Sequence, residues 1–285
     1  MAGLGCGEGP LYKKYAKIMT LDKRLNPLRP GIENTPQVFT VRDPVAPLLR
    51  APRPDAMRDS ELLFGEDFAV YDTDMEGWCW GQSLRDSYCG YIAKDALGPK
   101  ITPTHRVSAL RTFVYPVANI KAPPIMALSF GSLLAAHPDE TQIPDFLRLS
   151  NGFFVWASHT QPLDAPTPDF VTLAEQFTGT PYLWGGRSSL GLDCSALVQL
   201  SLQAAGLTAP RDSDMQEREL GSAVNGPFQR GDLVFWKGHV GIMQNETQLL
   251  HANGYTMSVY SEPLETARAR IMSKGGGEMT GLKRL

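Results

Sequence analysis

The chain has 285 residues, of which 42% are hydrophobic and 20% are charged, and its formal net charge is −3. This length and composition predict a soluble globular protein with two or three compact modules that each have a core. The small negative charge and the lack of a basic run with interleaved aromatics argue against a nucleic-acid partner, and no apolar run is long enough to span a membrane.

Residues 1–36 are predicted to form an N-terminal extension, which either packs on the C-terminal part of the chain or is disordered. We expect no signal peptide, because the first residues have lysines but no continuous apolar core and no small-residue cleavage site. Four cysteines (Cys6, Cys79, Cys89 and Cys194) do not indicate a disulfide framework, and we interpret Cys79 and Cys89 as buried thiols. A reducing cytoplasm is the compartment consistent with both observations.

Residues 37–100 are predicted to form a small all-β barrel, because short β-prone runs alternate there with turns rich in Pro, Asp and Gly. The runs are Val38–Val41, Leu62–Val70, Trp78–Gln82 and Tyr88–Ile92. The pattern Phe64-Gly65-Glu66, Gly77-Trp78-Cys79-Trp80 and Gly90-Tyr91-Ile92 resembles a bacterial SH3-like domain. Residues 101–162 resemble a divergent second copy, with β-prone runs at Arg111–Pro116, Pro123–Gly131 and Gly152–Trp156.

The third module is predicted to cover residues 163–285. Gln161–Pro168 contains three prolines and is interpreted as a stiff linker, followed by an amphipathic helix over Asp169–Thr178. A Gly-rich loop then leads to Cys194, and the apolar residues after it recur at helical spacing until Gly206. We therefore expect a buried helix that begins near Asp193 or Cys194. A thiol at a helix N-terminus is favoured as a thiolate, which indicates a nucleophile.

Two of the five histidines follow Cys194 in strand-like surroundings. His239 and His251 are separated by Asn245-Glu246-Thr247, which is typical of a turn, so we expect them to be neighbours across a hairpin. In this interpretation His239 is the base for Cys194 and His251 orients His239. Each of the three residues alone has an ordinary structural alternative, but their combination favours catalysis.

Five short motifs together resemble the NlpC-type cell-wall cysteine peptidases. They are Tyr182-Leu183-Trp184-Gly185-Gly186, Asp193-Cys194-Ser195, Arg230-Gly231-Asp232-Leu233-Val234-Phe235, Gly238-His239-Val240-Gly241-Ile242 and Leu250-His251-Ala252. The resemblance covers about residues 165–285 and implies an α+β, papain-like catalytic domain, preceded here by the two SH3-like barrels. The chain is similar in layout to intracellular members with two such barrels, which hydrolyse the γ-D-glutamyl–diamino acid bond (meso-diaminopimelate or L-Lys) in murein peptides with a free N-terminal L-Ala. No cofactor or metal is implied, and we expect a monomer.

Further residues are candidates for substrate contacts. A free ammonium needs a carboxylate in a confined site, and we expect Glu66 to supply it, with Tyr88 or Tyr91 as walls; an exposed charge or core aromatics are the alternatives. Asp193 and Ser195 flank the nucleophile and are expected to face the same pocket. Tyr182 is a candidate for holding the oxyanion beside the Cys194 backbone N–H, or else it packs in the core.

The run after Pro210 has two interpretations. Asp212 or Ser213 is typical of a helix N-cap, whereas the resemblance implies that this loop lines the cleft and that both residues bind substrate. Three alternative functions also remain open at this stage. They are another acyl-transfer enzyme on the same fold, a cell-wall-binding protein, and a lysin that acts on intact wall.

Overall fold

The computed structural model describes residues 22–29, 35–137, 145–165 and 169–285. Two strand-rich regions come first, and all four α-helices of these described ranges lie after Asp169. Cys6 and most of the predicted N-terminal extension lie outside the described residues. Among the described helices, none has the length and apolar character needed to cross a membrane.

The first strand-rich region, which we call the first barrel, is one antiparallel sheet around its own core. Its strands are β1 Gln37–Val41, β2 Val45–Leu49, β3 Arg58–Leu63, β4 Asp67–Thr73, β5 Trp78–Ser83, β6 Cys89–Ala93 and β7 Leu97–Gly98. Hydrogen-bonded neighbours follow the order β3-β2-β6-β5-β4-β1-β7. Leu48, Phe68 and Ile92 are fully buried, and burial of each such side chain stabilises the fold by roughly 1.5–3 kcal/mol.

Two sequence-based predictions for the first barrel need correction. The run Leu62–Val70 was expected to be one element, but a turn at Gly65 (φ +85°) divides it between β3 and β4. Strand β2 was not predicted, because Pro44 and Pro47 are typical of turns. Pro47 has no backbone N–H to donate, and it is tolerated in β2 because the neighbouring strand β6 pairs with β2 at Leu49 and not at Pro47. Cys79 and Cys89 are buried free thiols, as predicted.

The second strand-rich region, the second barrel, has two smaller antiparallel sheets. Its strands are β8 His105–Val107, β9 Arg111–Tyr115, β10 Met126–Ser129, β11 Leu133–Leu134, β12 Ala136–His137, β13 Phe146–Leu149, β14 Phe154–Trp156 and β15 Thr160–Pro162. The orders are β10-β9-β14-β13-β12 and β11-β8-β15. A β-carbon at Gly65 would lie 2.0 Å from the carbonyl oxygen of Leu133, so the close contact between the barrels at this point requires glycine.

The C-terminal domain, residues 169–285, combines four helices with a six-stranded antiparallel sheet. The helices are α1 Phe170–Glu175, α2 Cys194–Ala204, α3 Ser213–Glu219 and α4 Leu264–Ser273. The strands are β16 Arg187–Ser188, β17 Gly191–Leu192, β18 Ser222–Ala223, β19 Leu233–Trp236, β20 His239–Met243, β21 Gln248–Asn253, β22 Ser258–Pro263 and β23 Gly281–Arg284. The large sheet follows the order β18-β23-β19-β20-β21-β22, and β16 pairs with β17.

Helix α2 lies in the centre of the C-terminal domain, and every one of its residues is buried. Leu197, Val198 and Leu202 pack in one cluster with Phe235 and Val240 of the sheet. The helix begins at Cys194 and ends just before Gly206, whose φ of +80° suits a residue without a side chain. These bounds confirm the predicted helix, and the packing places its N-terminus beside strand β20.

A buried ion pair joins the first barrel to the C-terminal domain. The Arg187 guanidinium donates to both carboxylate oxygens of Glu66, at 2.7 and 2.8 Å, and to Gln199 of α2 at 2.7 Å. Glu66 also accepts a hydrogen bond from the Leu63 backbone N–H at 2.9 Å. Arg187 and Glu66 are 1% and 2% exposed, so the pair fixes the barrel firmly against α2.

Residues 22–29, which we call the N-terminal strap, pack on the first barrel. Three of their backbone carbonyls accept hydrogen bonds of 2.8 Å from it, those of Arg24, Leu25 and Pro27. The Leu25 side chain is buried against the barrel core and Met215. This part of the extension is therefore ordered on the protein and lies beside the start of α3.

Candidate active site

Cys194 is the first residue of α2, and Asp193 is its N-cap. Asp193 has extended backbone angles, and its Oδ1 accepts a hydrogen bond of 2.9 Å from the Ala196 N–H. This geometry is that of a standard Asp N-cap, which satisfies an otherwise unpaired backbone donor. The Gly-rich loop and the cap together hold the Cys194 thiol at the mouth of a cavity.

Arg211 locks the loop that carries the nucleophile. It is 1% exposed and donates to both carboxylate oxygens of Asp193, at 2.9 and 2.7 Å, and to the Ser195 hydroxyl at 3.0 Å. The Oδ2 atom of Asp193 also accepts a hydrogen bond of 3.0 Å from the Gly185 N–H. Asp193 and Ser195 line the cavity as predicted, but their polar atoms are largely used to hold the loop. The role of Arg211 was not predicted from the sequence.

The two histidines are neighbours on adjacent strands. Strands β20 and β21 form a hairpin, with Ile242 opposite Leu250, and the His239 Nε2 lies 2.8 Å from the His251 Nδ1. This arrangement confirms the predicted hairpin and the predicted contact of the pair. The Val240 backbone N–H donates a hydrogen bond to the Cys194 sulfur. The thiol therefore lies against the start of β20, the strand whose first residue is His239.

Beyond His251 lies a buried carboxylate that the sequence analysis missed. The His251 Nε2 is 2.9 Å from Oε1 of Glu262 on β22. Arg270 of α4 donates to both Glu262 oxygens, at 2.6 and 2.5 Å. Alternation along β22 places Glu262 on the same side of the strand as Tyr260, which is opposite His251. Alternation of residues along β22 could have indicated Glu262, but only once the pairing register of β21 and β22 is known, and one sequence does not give that register.

Burial shifts both reacting groups toward their neutral forms. It raises the pKa of Cys194 to about 12, with the Asp193 carboxylate adding to the shift and the N–H groups of Val240 and Ser195 opposing it. Burial, together with His251 and Arg270, lowers the pKa of His239 to about 3. The Ser195 N–H at the helix start favours the thiolate, in the direction expected of a helix N-terminus, but desolvation of the sulfur is the larger effect.

The thiol opens into a cavity of 270 Å³ between three parts of the chain. The strap supplies Arg24, the first barrel supplies Arg50, Asp59 and Tyr88, and the C-terminal domain supplies Tyr182, Trp184, Asp193, Cys194, Ser195, Asp212, Ser213, Asp214 and Gly238. Most of the residues in this lining are polar or charged. A short polar cleft of this kind fits a charged peptide better than an acyl chain.

One end of the cavity carries carboxylates from both sides. Asp212 accepts hydrogen bonds on Oδ2 from the Tyr88 hydroxyl at 3.0 Å and from Arg24 at 2.8 Å. Asp59 lines the same cavity, and both of its oxygens accept from the exposed Arg50. Burial raises the pKa of Asp212, whereas Arg211 and Arg24 oppose the shift. An ammonium group can bind here through the lone pairs of the two carboxylates that these contacts leave unused.

The two interpretations of the run after Pro210 are both met in part. Asp212 occupies the N-cap position of α3, but its side chain makes no capping hydrogen bond. Its carboxylate instead binds Tyr88 and Arg24 at the cavity. Ser213, the first residue of α3, lines the cavity beside it. The sequence alone could not show that Tyr88 of the first barrel binds the Asp212 carboxylate that would otherwise cap α3.

Among the described residues, the cavity lining does not include two residues predicted to contact substrate, Glu66 and Tyr91. Both carboxylate oxygens of Glu66 accept from the buried Arg187, and Glu66 is not part of the cavity lining. The Tyr91 ring packs on Trp80, with centroids 5.0 Å apart, and its hydroxyl accepts from Arg29. Tyr88 was correctly placed at the cavity. Asp59 takes the position in the first barrel that was expected for Glu66.

Tyr182 lies in the cavity wall with Cys194 and is half-buried. Burial, with Cys194 and Asp193 adding to it, raises the pKa of its hydroxyl, which therefore stays protonated and able to donate. The backbone of Tyr182 is held by a hydrogen bond of 2.9 Å to the Met257 carbonyl. Its role toward an oxyanion stays a prediction.

Two family models match the chain. Residues 179–272 match the NlpC/P60 family, and residues 48–97 match the bacterial dipeptidyl-peptidase Sh3 domain. A gamma-D-glutamyl-L-lysine dipeptidyl-peptidase of Bacillus subtilis is 34% identical over 226 residues, which cover 70% of this chain and 73% of that protein. The chain belongs to the NlpC/P60 family. This confirms the family resemblance drawn from the five motifs around Cys194, His239 and His251.

A crystal structure of an NlpC/P60 family protein from Bacillus cereus has a TM-score of 0.72 to this chain, at 22% identity, and the match covers 87% of this chain and 99% of that one. It confirms the predicted fold class for the NlpC/P60 chain. A gamma-D-glutamyl-L-lysine dipeptidyl-peptidase of Bacillus cereus is 33% identical over 132 residues, or 42% of this chain. The chain spans only 38% of that relative's length.

Proposed function

We propose that this NlpC/P60 chain is a cysteine endopeptidase that hydrolyses the γ-D-glutamyl–diamino acid bond of murein peptides with a free N-terminal L-Ala. The observation that carries the proposal is one cavity that holds the Cys194 thiol and, at one end, the Asp59 and Asp212 carboxylates. A peptide with an N-terminal ammonium is held at those carboxylates, and its amide reaches the thiol. The names of the similar Bacillus proteins agree with this substrate class.

The proposed reaction is an acyl transfer in two steps. Because Cys194 and His239 are both neutral in the free protein, the proton passes from the sulfur to His239 as the sulfur attacks the γ-carbonyl of D-Glu. Backbone N–H groups at the start of α2, with the Tyr182 hydroxyl, stabilise the oxyanion. His239 then protonates the leaving amine of the diamino acid, which leaves a thioester on Cys194.

Water completes the cycle. His239 takes a proton from the water as it attacks the thioester, and the Cys194 sulfur leaves and regains its proton from His239. The products are the L-Ala-D-Glu dipeptide and a peptide or amino acid that begins with the diamino acid. His251 keeps the ring of His239 oriented through the contact of 2.8 Å. Such a substrate is already released from the wall, so we propose a role in peptidoglycan recycling, in the cytoplasm.

The proposal is tested by mass spectrometry of products from the purified full chain. The substrates are L-Ala-γ-D-Glu-diaminopimelate, its L-Lys analogue, the N-acetylated forms of both, and intact sacculi, with Cys194→Ala as the matched control. We expect cleavage of the free-amine peptides only. Cleavage of sacculi would favour a lysin, sedimentation with sacculi without cleavage would favour a wall-binding protein, and no reaction at all would favour a different acyl transfer. Cell fractionation tests the compartment.

A further inference from the structure

The side chains behind His251 form a continuous buried chain that ends in a fixed charge. His239 contacts His251, His251 contacts Glu262, and both Glu262 oxygens accept from Arg270. His251 and Glu262 are 1% and 6% exposed, so water does not compete for these contacts. The two histidine links each join one ring nitrogen to one atom of the next residue, and this determines where the protons lie.

A carboxylate held by arginine can only accept hydrogen bonds. The carboxylate form is favoured here: burial alone would raise the pKa of Glu262, but the hydrogen bonds from His251 and Arg270 lower it to about 2. Because Glu262 accepts, the His251 Nε2 must carry a proton. In neutral His251 the Nδ1 then accepts from the His239 Nε2, and the Nδ1 of His239 is left with a lone pair.

We propose that Glu262 is a positioning residue that sets the tautomers of His251 and His239, and that Arg270 holds Glu262 in place for this task. The inference deepens the proposed peptidase function and rests on it for the part that concerns catalysis. Its consequence is that the ring nitrogen of His239 directed away from His251 is the proton acceptor for Cys194. The opposite set of tautomers would leave that nitrogen protonated and unable to act as a base.

The charged groups around this chain have opposite effects on His239. Cys194 approaches from α2, His251 from β21, Glu262 from β22 and Arg270 from α4. Glu262 raises the pKa of His239, and Arg270 lowers it. Removal of the Glu262 charge and removal of the Arg270 charge should therefore shift the titration of His239 in opposite directions.

The variant Glu262→Gln is the sharpest change. Arg270 has only donors, so it attracts the new amide oxygen, and the amide N–H₂ group turns to the His251 Nε2. His251 must then accept at Nε2, which moves its proton to Nδ1 and reverses both tautomers. We expect kcat/KM to fall by about 10⁴-fold, the size of loss found when a carboxylate-to-amide change leaves a catalytic histidine in the wrong tautomer. Glu262→Asp keeps the charge and should retain more activity than Glu262→Gln.

The first experiment needs no substrate. Nitrogen-15 NMR of the histidine rings in the full chain reports the protonated nitrogen of each ring. We expect Nε2-protonated His239 and His251 in the wild type and Nδ1-protonated rings in Glu262→Gln. The matched control is Arg268→Met, which removes an exposed arginine paired with Glu265 on the same helix. A wild-type His251 protonated at Nδ1, alone or at both nitrogens, overturns the inference.

The second experiment follows the pH dependence of kcat/KM. The limb that reports His239 should move to lower pH in Glu262→Gln and to higher pH in Arg270→Met, and should not move in Arg268→Met. Equal profiles for all four proteins overturn the inference, and thermal unfolding of each variant shows whether a lost activity is only lost fold. If no murein peptide is cleaved while the expected tautomers are found, the proposed function fails and the positioning role stands.

Discussion

The Tyr88 hydroxyl of the first barrel donates to the Asp212 carboxylate of the C-terminal domain across a distance of 3.0 Å. The two residues are 124 positions apart in the chain, and their contact closes one end of the cavity that contains Cys194. The barrel is therefore part of the candidate active site. It supplies a wall and a hydrogen bond that holds a carboxylate in the lining of the cavity.

Tyr88→Phe removes only this hydroxyl. We expect kcat/KM for the free-amine peptide to fall by about 2- to 12-fold, which corresponds to the loss of a hydrogen bond that contributes about 0.5–1.5 kcal/mol. The measurement is steady-state kinetics with L-Ala-γ-D-Glu-diaminopimelate. Tyr91→Phe is the matched control, because its ring packs on Trp80 outside the cavity. Equal losses in the two variants would contradict the assignment.

Arg24 of the strap places a positive charge on the proposed ammonium site. It binds Asp212 at 2.8 Å and Asp214 at 2.7 Å. Arg24→Met should lower KM for a free-amine peptide by up to about 5-fold, because partly exposed ion pairs contribute at most about 1 kcal/mol. The control Arg29→Met removes an arginine that lies over the Trp80 ring at 3.2 Å. A raised KM in Arg24→Met alone would mean that the arginine binds substrate.

Burial and the Asp193 carboxylate raise the pKa of Cys194 to about 12. The sulfur is therefore a thiol at neutral pH, and its thiolate fraction rises tenfold for each pH unit below that value. We expect the rate of iodoacetamide alkylation at Cys194 to rise continuously up to about pH 9. Mass spectrometry of the labelled peptides distinguishes Cys194 from Cys6, Cys79 and Cys89. A rate that is constant from mildly acidic to neutral pH would instead indicate a preformed thiolate–imidazolium pair.

The Glu66–Arg187 ion pair links the first barrel to the C-terminal domain, so its loss should lower the stability of the fold. Arg187→Met leaves the Glu66 carboxylate buried without its partner, which should lower the free energy of unfolding by about 3–5 kcal/mol in urea titrations. The double variant Glu66→Leu with Arg187→Met should recover much of that loss. Arg53→Met, in an exposed pair with Asp55, should change it by less than about 0.5 kcal/mol. No loss in Arg187→Met would show that the ion pair does not stabilise the fold.

The reacting groups could be predicted from the sequence because each one lies next to a recognisable pattern of neighbouring residues. Cys194 follows a capping Asp at the start of a periodic apolar run, and His239 and His251 flank a recognisable turn. Glu262 and Asp59 were missed because their roles depend on strand register and on contacts between distant parts of the chain. Glu66 was wrongly chosen for the same reason, since its partner Arg187 lies 121 residues away.

Different regions of the chain supply the reacting groups and part of the cavity lining. The thiol, the histidines and Glu262 all lie within the C-terminal domain, whereas Arg24, Asp59 and Tyr88 come from the strap and the first barrel. Substitutions in the N-terminal regions can therefore alter which peptides are admitted without disturbing the atoms that react. The strap and the first barrel carry none of the reacting atoms, so their exchange can reshape part of the cavity around an unchanged nucleophile, while Asp212 stays in place because it belongs to the C-terminal domain.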